Sequence, residues 1–139
     1  MSLQTMYNSE LFARVGRAID WPAWDALIQL RGITIDRPRH SRHPAFPDIV
    51  YPIDYGYING TLGTDGEEID IFTGSAHTQL VALILTADFR KGDREVKLVY
   101  NCSPEEIYLV HGFLNYAPDL MQGRLVMRQP MAAVWDMVR

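Results

Sequence analysis

Apolar positions follow a helical period at both ends of this chain and a strand-like pattern between them. Residues 9–31 predict two helical pieces. Leu11, Val15, Ala18 and Ile19 share one face, behind Asn8 or Ser9 as a cap. Pro22 fits the first turn of a second helix, with Trp24, Leu27, Ile28 and Leu30 on its apolar face and Gly32 as its stop. At residue 33 the period changes to two: Ile33 and Ile35 alternate with Thr34 and Asp36, the mark of a strand. The strand runs into RPRHSRHPAFP, where three prolines forbid a regular helix or a central strand.

Further along, IDIF (69–72) predicts a short strand. Leu80 to Thr86 is a continuous apolar run, as in a strand buried on both faces, and Glu95 to Tyr100 is its hairpin partner across the turn FRKGD. Ser103-Pro104-Glu105-Glu106 marks a helix start: serine caps, proline takes the first helical position and Glu106 completes a capping box. That helix is expected over Ser103–Tyr116, with Ile107, Val110 and Leu114 facing the core and Pro118 ending it. Residues 123–128 read as one more strand and 130–138 as a short terminal helix. Helices, many strands, then helix predict an α+β fold with a curved or closed sheet.

Composition narrows the class. With 139 residues, 47% of them hydrophobic, the chain is expected to form one globular domain with its own core. A net charge of −4 gives no basic field for nucleic acid or for an anionic membrane. No apolar run approaches the roughly 20 residues that span a bilayer, and no basic-then-apolar leader opens the sequence. A cytoplasmic location is the expectation. Cys102 is the single cysteine, so no internal disulfide and no four-cysteine zinc site can form. It has no basic neighbour in sequence to activate it and reads as structural.

Three charged sets carry candidate chemistry. In Asp65-Gly66-Glu67-Glu68-Ile69-Asp70, Gly66 allows a tight bend that lets the carboxylates converge. With Ile69 and Ile71 inward, Asp70 and Glu68 turn to the opposite face, and such oxygens suit a hard cation like Mg²⁺; a solvated acidic turn is the plain alternative. The second set is Asp88, Glu95 and Lys97, brought together by the hairpin, with an exposed charged hairpin as its alternative. The third is the basic loop of Arg37, Arg39, His40, Arg42 and His43, able to hold a phosphate or simply to be solvated. His40 and His43 lack a nearby third zinc ligand, and His77 and His111 are isolated. No glycine-rich phosphate loop or dinucleotide fingerprint is present.

The stretch YPIDYGYINGTL (51–62), followed by DGEEID (65–70), resembles the soluble inorganic pyrophosphatases (family I). That family carries Tyr-Pro-x-x-Tyr-Gly-x-Ile, then Gly-Thr-Leu, then Asp-Gly-Asp-Pro-x-Asp. ITIDRPRHSRHP is similar to its Glu-Ile-Pro-Lys-Gly-Ser-Arg strand and loop, and Asp88, Glu95 and Lys97 stand where it has Asp, Asp and Lys. HGFLNYAPDL is similar to its helix ending in Tyr-Lys-Asp-Leu. The resemblance spans roughly 33–128.

It implies an OB-like five-stranded β-barrel with flanking helices, and hydrolysis of pyrophosphate to two phosphates with Mg²⁺, Mn²⁺ being possible. Within a single domain, residues 1–32 would be a helical extension, 33–128 the barrel core and helix, and 129–139 a C-terminal helix. The resemblance makes Asp65, Glu67, Asp70, Asp88 and Glu95 the metal set, with Glu67 also taking a proton from the attacking water. Arg42, Tyr51, Tyr55, Lys97 and Tyr116 would serve phosphate, Tyr55 being catalytic as well. The implied partner is a small phosphate substrate, and the implied assembly a homo-oligomer.

The departures are equally specific. Glu67 replaces the family's middle aspartate with an arm one methylene longer. Pro44 and Phe46 stand where the family has lysine and glutamate, and Ala117 where it has lysine. The family's hairpin before the Tyr-Pro block, with its phosphate-binding arginine, is missing or collapsed into AFPDIV. Besides pyrophosphate hydrolysis, the sequence therefore leaves open a catalytically impaired homologue that binds phosphate, metal or a partner, and a hydrolase of a different phosphoanhydride.

Overall fold

The computed structural model describes residues 16–63 and 66–139. Leu11, Val15, the caps Asn8 and Ser9, and Asp65 lie outside the described residues. Helix α1 spans Trp21–Arg31, where Pro22 falls in the first turn and the Asp20 side chain accepts from the Ala23 amide. Its buried face is Trp21, Asp25 and Ile28. Leu30, expected on that face, is exposed, because it lies about 200° from Ile28 at 3.6 residues per turn. Gly32, at φ 77°, ends the helix by donating its amide to the Ile28 carbonyl.

The strands are β1 Ile33–Arg37, β2 Asp54–Ile58, β3 Asp70–Thr73, β4 Leu80–Asp88, β5 Asp93–Tyr100 and β6 Met121–Met127. They form one sheet in the order β1-β2-β3-β5-β4-β6. The class is α+β as expected, with two differences in detail. Among the described residues six strands pair rather than five, and β1 and β6 are opposite edges, so the sheet does not close into a barrel. All neighbours are antiparallel except β3 and β5, which run parallel. Part of the YPIDYGYI stretch is itself a strand, β2, between β1 and β3. Gly56 is obligatory there, because a Cβ would collide with the Thr34 carbonyl of β1.

Helix α2, Pro104–Phe113, starts with the full capping box of Ser103 and Glu106. Glu106 also accepts from the Ser75 amide and hydroxyl, which ties the helix start to the end of β3. The helix stops at Leu114, earlier than Tyr116. The Asn115 amide group then donates to the Gly123 carbonyl at 3.0 Å and accepts from its N–H at 2.9 Å, fastening the chain to β6. Helix α3 is Met131–Val138. Among the described residues no helix is long and apolar enough to cross a membrane.

The sheet buries both faces. On one, Ile53, Phe72, Ile84 and Val99 pack with Ile107, Val110 and Leu114, and with Val134 of α3. On the other, Ile58, Ile71, Leu83, Leu98 and Val126 pack with Trp21 and Ile28 of α1. This accounts for β4, whose apolar run has helices over both sides. Cys102 is fully buried, and burial pushes its thiol well above the ordinary range, which leaves it inert.

One buried ion pair locks α1 to the sheet. Asp25 Oδ2 lies 2.8 Å from Arg128 Nη1, and Asp25 Oδ1 accepts from the Leu80 amide at 2.8 Å. Arg128 also donates to the Leu80 carbonyl at 3.2 Å. Replacing Asp25 with alanine strands both the guanidinium and the amide. Asp25→Ala is expected to cost about 3 kcal/mol in urea unfolding; a loss under about 0.5 kcal/mol would show the pair to be dispensable.

Candidate active site

The strand register builds the site. On β5, Glu95 and Lys97 are two residues apart and share a face. The parallel pairing sets Asp70 of β3 opposite Lys97. On its other side Asp70 is opposite Tyr57 of β2, and Tyr55 is opposite Phe72. On β4, Thr86 is opposite Glu95 and Asp88 opposite Asp93. Two residues on from Thr86, Asp88 therefore shares the face that carries Tyr55, Asp70, Glu95 and Lys97. The expected approach of Asp88 to Glu95 is thus along one face rather than directly across the hairpin.

Lys97 is the centre. Its ammonium lies 2.7 Å from Asp70 Oδ2, 2.7 Å from Glu95 Oε2 and 3.1 Å from the Tyr55 hydroxyl. Lys97 is 8% exposed, so these contacts replace nearly all its water. Burial alone would favour the neutral amine, but Tyr55, Asp70 and Glu95 outweigh it and hold its pKa above the usual lysine value. Tyr55 is raised too, by burial first and then by Asp70, against an opposing pull from Lys97. Its hydroxyl keeps its proton and can donate.

Above this cluster opens a cavity of about 750 Å³. Glu67, Asp70, Asp88, Glu95, Lys97, Tyr51, Tyr55 and Tyr116, all singled out in the sequence, line it. Glu67 lies in an exposed bend after Gly66, whose φ of 85° is a glycine conformation. Asp88 is buried, and its Oδ1 accepts from the amides of Arg90 and Lys91, so part of its role is to shape the β4–β5 turn. Tyr116 is mostly exposed at the rim. Arg42 does not line the cavity; its guanidinium donates to the Pro47 carbonyl at 2.7 Å and braces the 38–50 loop.

A different arginine fills the cationic position. A bulge between Ile35 and Arg37 puts Arg37, rather than Asp36, opposite Tyr55. The inserted residue brings Arg37 to the site beside Asp36, and both line the cavity. Arg37 donates to the Tyr51 hydroxyl and lies over the Tyr51 and Tyr55 rings, 5.3 and 5.9 Å from their centroids. Arg37 was only one of five basic residues in its loop by sequence, and no local signal announces a bulge. His43 and Phe46 also line the cavity. His43 Nδ1 accepts from the amides of Ala45 and Phe46, which fixes the loop tip. Desolvation, then Arg37, Arg90 and Lys91, hold its pKa below the ordinary histidine value.

The carboxylates supply hard oxygen donors, which suit Mg²⁺ in kind. Their grouping differs from a ligand set. Lys97 holds both Asp70 and Glu95, and among the described residues no three His, Cys, Asp or Glu side chains gather as metal ligands. The repulsion of crowded carboxylates is met here by a lysine within the protein.

Solved structures share this architecture. An inorganic pyrophosphatase from Neisseria gonorrhoeae superposes with a TM-score of 0.56, covering 76% of this chain and 87% of that one at 13% identity. One from Helicobacter pylori gives 0.52 over 76% and 89%, at 16% identity. One from Thermus thermophilus gives 0.50 over 77% and 86%, at 21% identity. No protein-family model matches the sequence, and no curated protein does. The fold is therefore pyrophosphatase-like, on a sequence far diverged from these solved examples.

The cluster makes a stability prediction. Removing Lys97 leaves Asp70 and Glu95 facing each other half-desolvated, so Lys97→Met is expected to cost about 2 kcal/mol without added metal. Because the folded pKa of Lys97 is raised, its contribution is fully present below the unfolded lysine value of about 10.4 and fades only above it. Urea titrations of both proteins from pH 7 to 10 should give a constant difference; a difference that vanishes by pH 9 would contradict the raised pKa.

Proposed function

We propose that this protein is a metal-dependent phosphoanhydride hydrolase, with inorganic pyrophosphate as the leading substrate and its two phosphates as products. One observation carries the reading: Tyr55, Asp70, Glu95 and Lys97 form a hydrogen-bonded floor under a cavity that also holds Glu67, Asp88 and Arg37. The pyrophosphatase-like fold supports it.

In this reading Arg37 and Lys97 draw the anion into the cavity, with Arg90 and Lys91 at its edge. Tyr51, Tyr55 and Tyr116 orient the phosphate oxygens, and Tyr55 donates as a neutral phenol because its pKa is raised. Glu67, on the bend after Gly66, accepts the proton of the attacking water. Asp70, Asp88 and Glu95, with Asp65, would hold Mg²⁺ or Mn²⁺, which would supply Lewis-acid neutralisation of the phosphate charge. Arg42 serves the site by bracing the loop that presents His43 and Phe46.

A second reading is a homologue that binds phosphate or a partner without turnover. The ion pairs of Lys97 with both Asp70 and Glu95 favour it, since they neutralise two of the carboxylates.

Phosphate release from pyrophosphate separates the two. The enzyme reading expects release with Mg²⁺ that is lost on chelation. It also expects Glu67→Gln to lower turnover by at least about 100-fold, and Glu67→Asp to retain or improve it. Equal turnover in wild type and Glu67→Gln would make Glu67 an ordinary surface carboxylate. Absence of turnover in every variant would leave the binding reading in its place.

A further inference from the structure

The cavity is larger and more aromatic than a small inorganic anion needs. Its volume of about 750 Å³ lies within the range of about 300–1,000 Å³ typical of sites for drug-sized organic ligands. Pyrophosphate, two phosphorus atoms with their oxygens, fills a small part of it. Part of the remaining wall is apolar and ringed: Phe46, Ile49, Phe113, Tyr116, Ala117 and Leu120.

A row of contacts links Lys97 to Phe46. From Lys97, the Tyr55 ring is 5.5 Å away, Tyr51 is 5.3 Å from Tyr55, His43 is 6.5 Å from Tyr51, and Phe46 is 5.2 Å from His43. The Arg90 guanidinium closes the row 4.6 Å from the Phe46 centroid. Phe46 stands three ring contacts beyond Tyr55. It is 44% exposed, and its ring contacts His43 and Arg90.

From this we infer that the site accepts a nucleoside diphosphate, with the phosphates at the Arg37–Lys97 end and the base stacked at Phe46 and Arg90. Flat rings and a guanidinium plane suit a planar heterocycle. A prenyl chain would want a closed apolar tunnel, and this rim instead carries Arg90, Lys91, Asp93 and Glu68. The inference rests on the phosphoanhydride-hydrolase reading of the same site. The water oxygen bonds to the terminal phosphorus while the bond from that phosphorus to the bridging oxygen breaks. The bridging oxygen leaves with the electron pair on the nucleoside monophosphate. One water proton passes to Glu67, and the terminal phosphorus departs as inorganic phosphate.

The test compares ADP, pyrophosphate and geranyl diphosphate in phosphate release with Mg²⁺, alongside calorimetric titration of ADP and pyrophosphate. ADP is expected to be hydrolysed, and at a higher kcat/KM than geranyl diphosphate. Phe46→Ala should lower the ratio of kcat/KM for ADP to that for pyrophosphate about tenfold, the size of one lost base–ring stack, and Phe46→Trp should restore it. Circular dichroism checks that both variants fold. Hydrolysis of pyrophosphate with neither turnover nor binding of ADP would overturn this inference and leave the proposed function standing. A preference for geranyl diphosphate, or a ratio unmoved by Phe46→Ala, would also overturn it. If nothing is hydrolysed but ADP binds in a Phe46-dependent way, the base site holds and the hydrolase reading falls. If nothing is hydrolysed and ADP does not bind, both fail.

Discussion

A single buried ammonium organises this protein's functional face. Lys97 sits within hydrogen-bonding distance of Asp70, Glu95 and Tyr55, nearly without water. Desolvating a charge costs several kcal/mol unless partners replace its hydration, so the lysine and its carboxylates stabilise one another or none is tolerated. The pairing also constrains the sheet. Asp70 meets Lys97 because β3 and β5 run parallel in this register, and a one-residue slip of β3 would turn Asp70 toward the α1 side and Ile71 toward the site.

The same face has two ends of different character. Toward α2 and α3 it is a packed apolar core, in which Phe72 and Phe113 stand edge to face. Toward the β4–β5 turn it becomes polar and open. Tyr51 and Tyr55 form the boundary, each with its ring among apolar neighbours and its hydroxyl on a cation, Arg37 or Lys97. Phenols suit that place because they bury area without adding charge. Tyr51 and Tyr55 next to a carboxylate cluster follow from this: their rings join the core and their hydroxyls enter the site, while Tyr57 lines the cavity.

The relation to pyrophosphatase structures is one of architecture. The fold is shared with those structures, while the loop over the cavity departs from the family pattern that the sequence resembles. Prolines 38, 44 and 47, the brace from Arg42 to Pro47 and the His43 contacts give residues 38–50 a compact form. That loop sets Phe46 beside Arg90, where the family pattern has glutamate at the Phe46 position. Phe46 puts aromatic surface on the cavity lining.

The local elements were legible in the sequence because their causes are local. The capping box at Ser103–Glu106, the period of two at Ile33–Ile35, and the apolar run of β4 each depend on neighbours a few residues away. The carboxylates, Lys97 and the tyrosines were also legible, since spacing assigns Glu95 and Lys97 to one face and the Tyr-Gly block is distinctive. The pairing of distant strands decided the rest. The parallel β3–β5 register that joins Asp70 to Lys97, the open six-stranded order, and the Asp25–Arg128 pair across 103 positions arise from contacts that no short window contains. The bulge that brings Arg37 into the cavity beside Asp36 is of the same kind. An extra residue in one strand is defined only against its partner, so the chemistry of that edge was settled by pairing and not by composition.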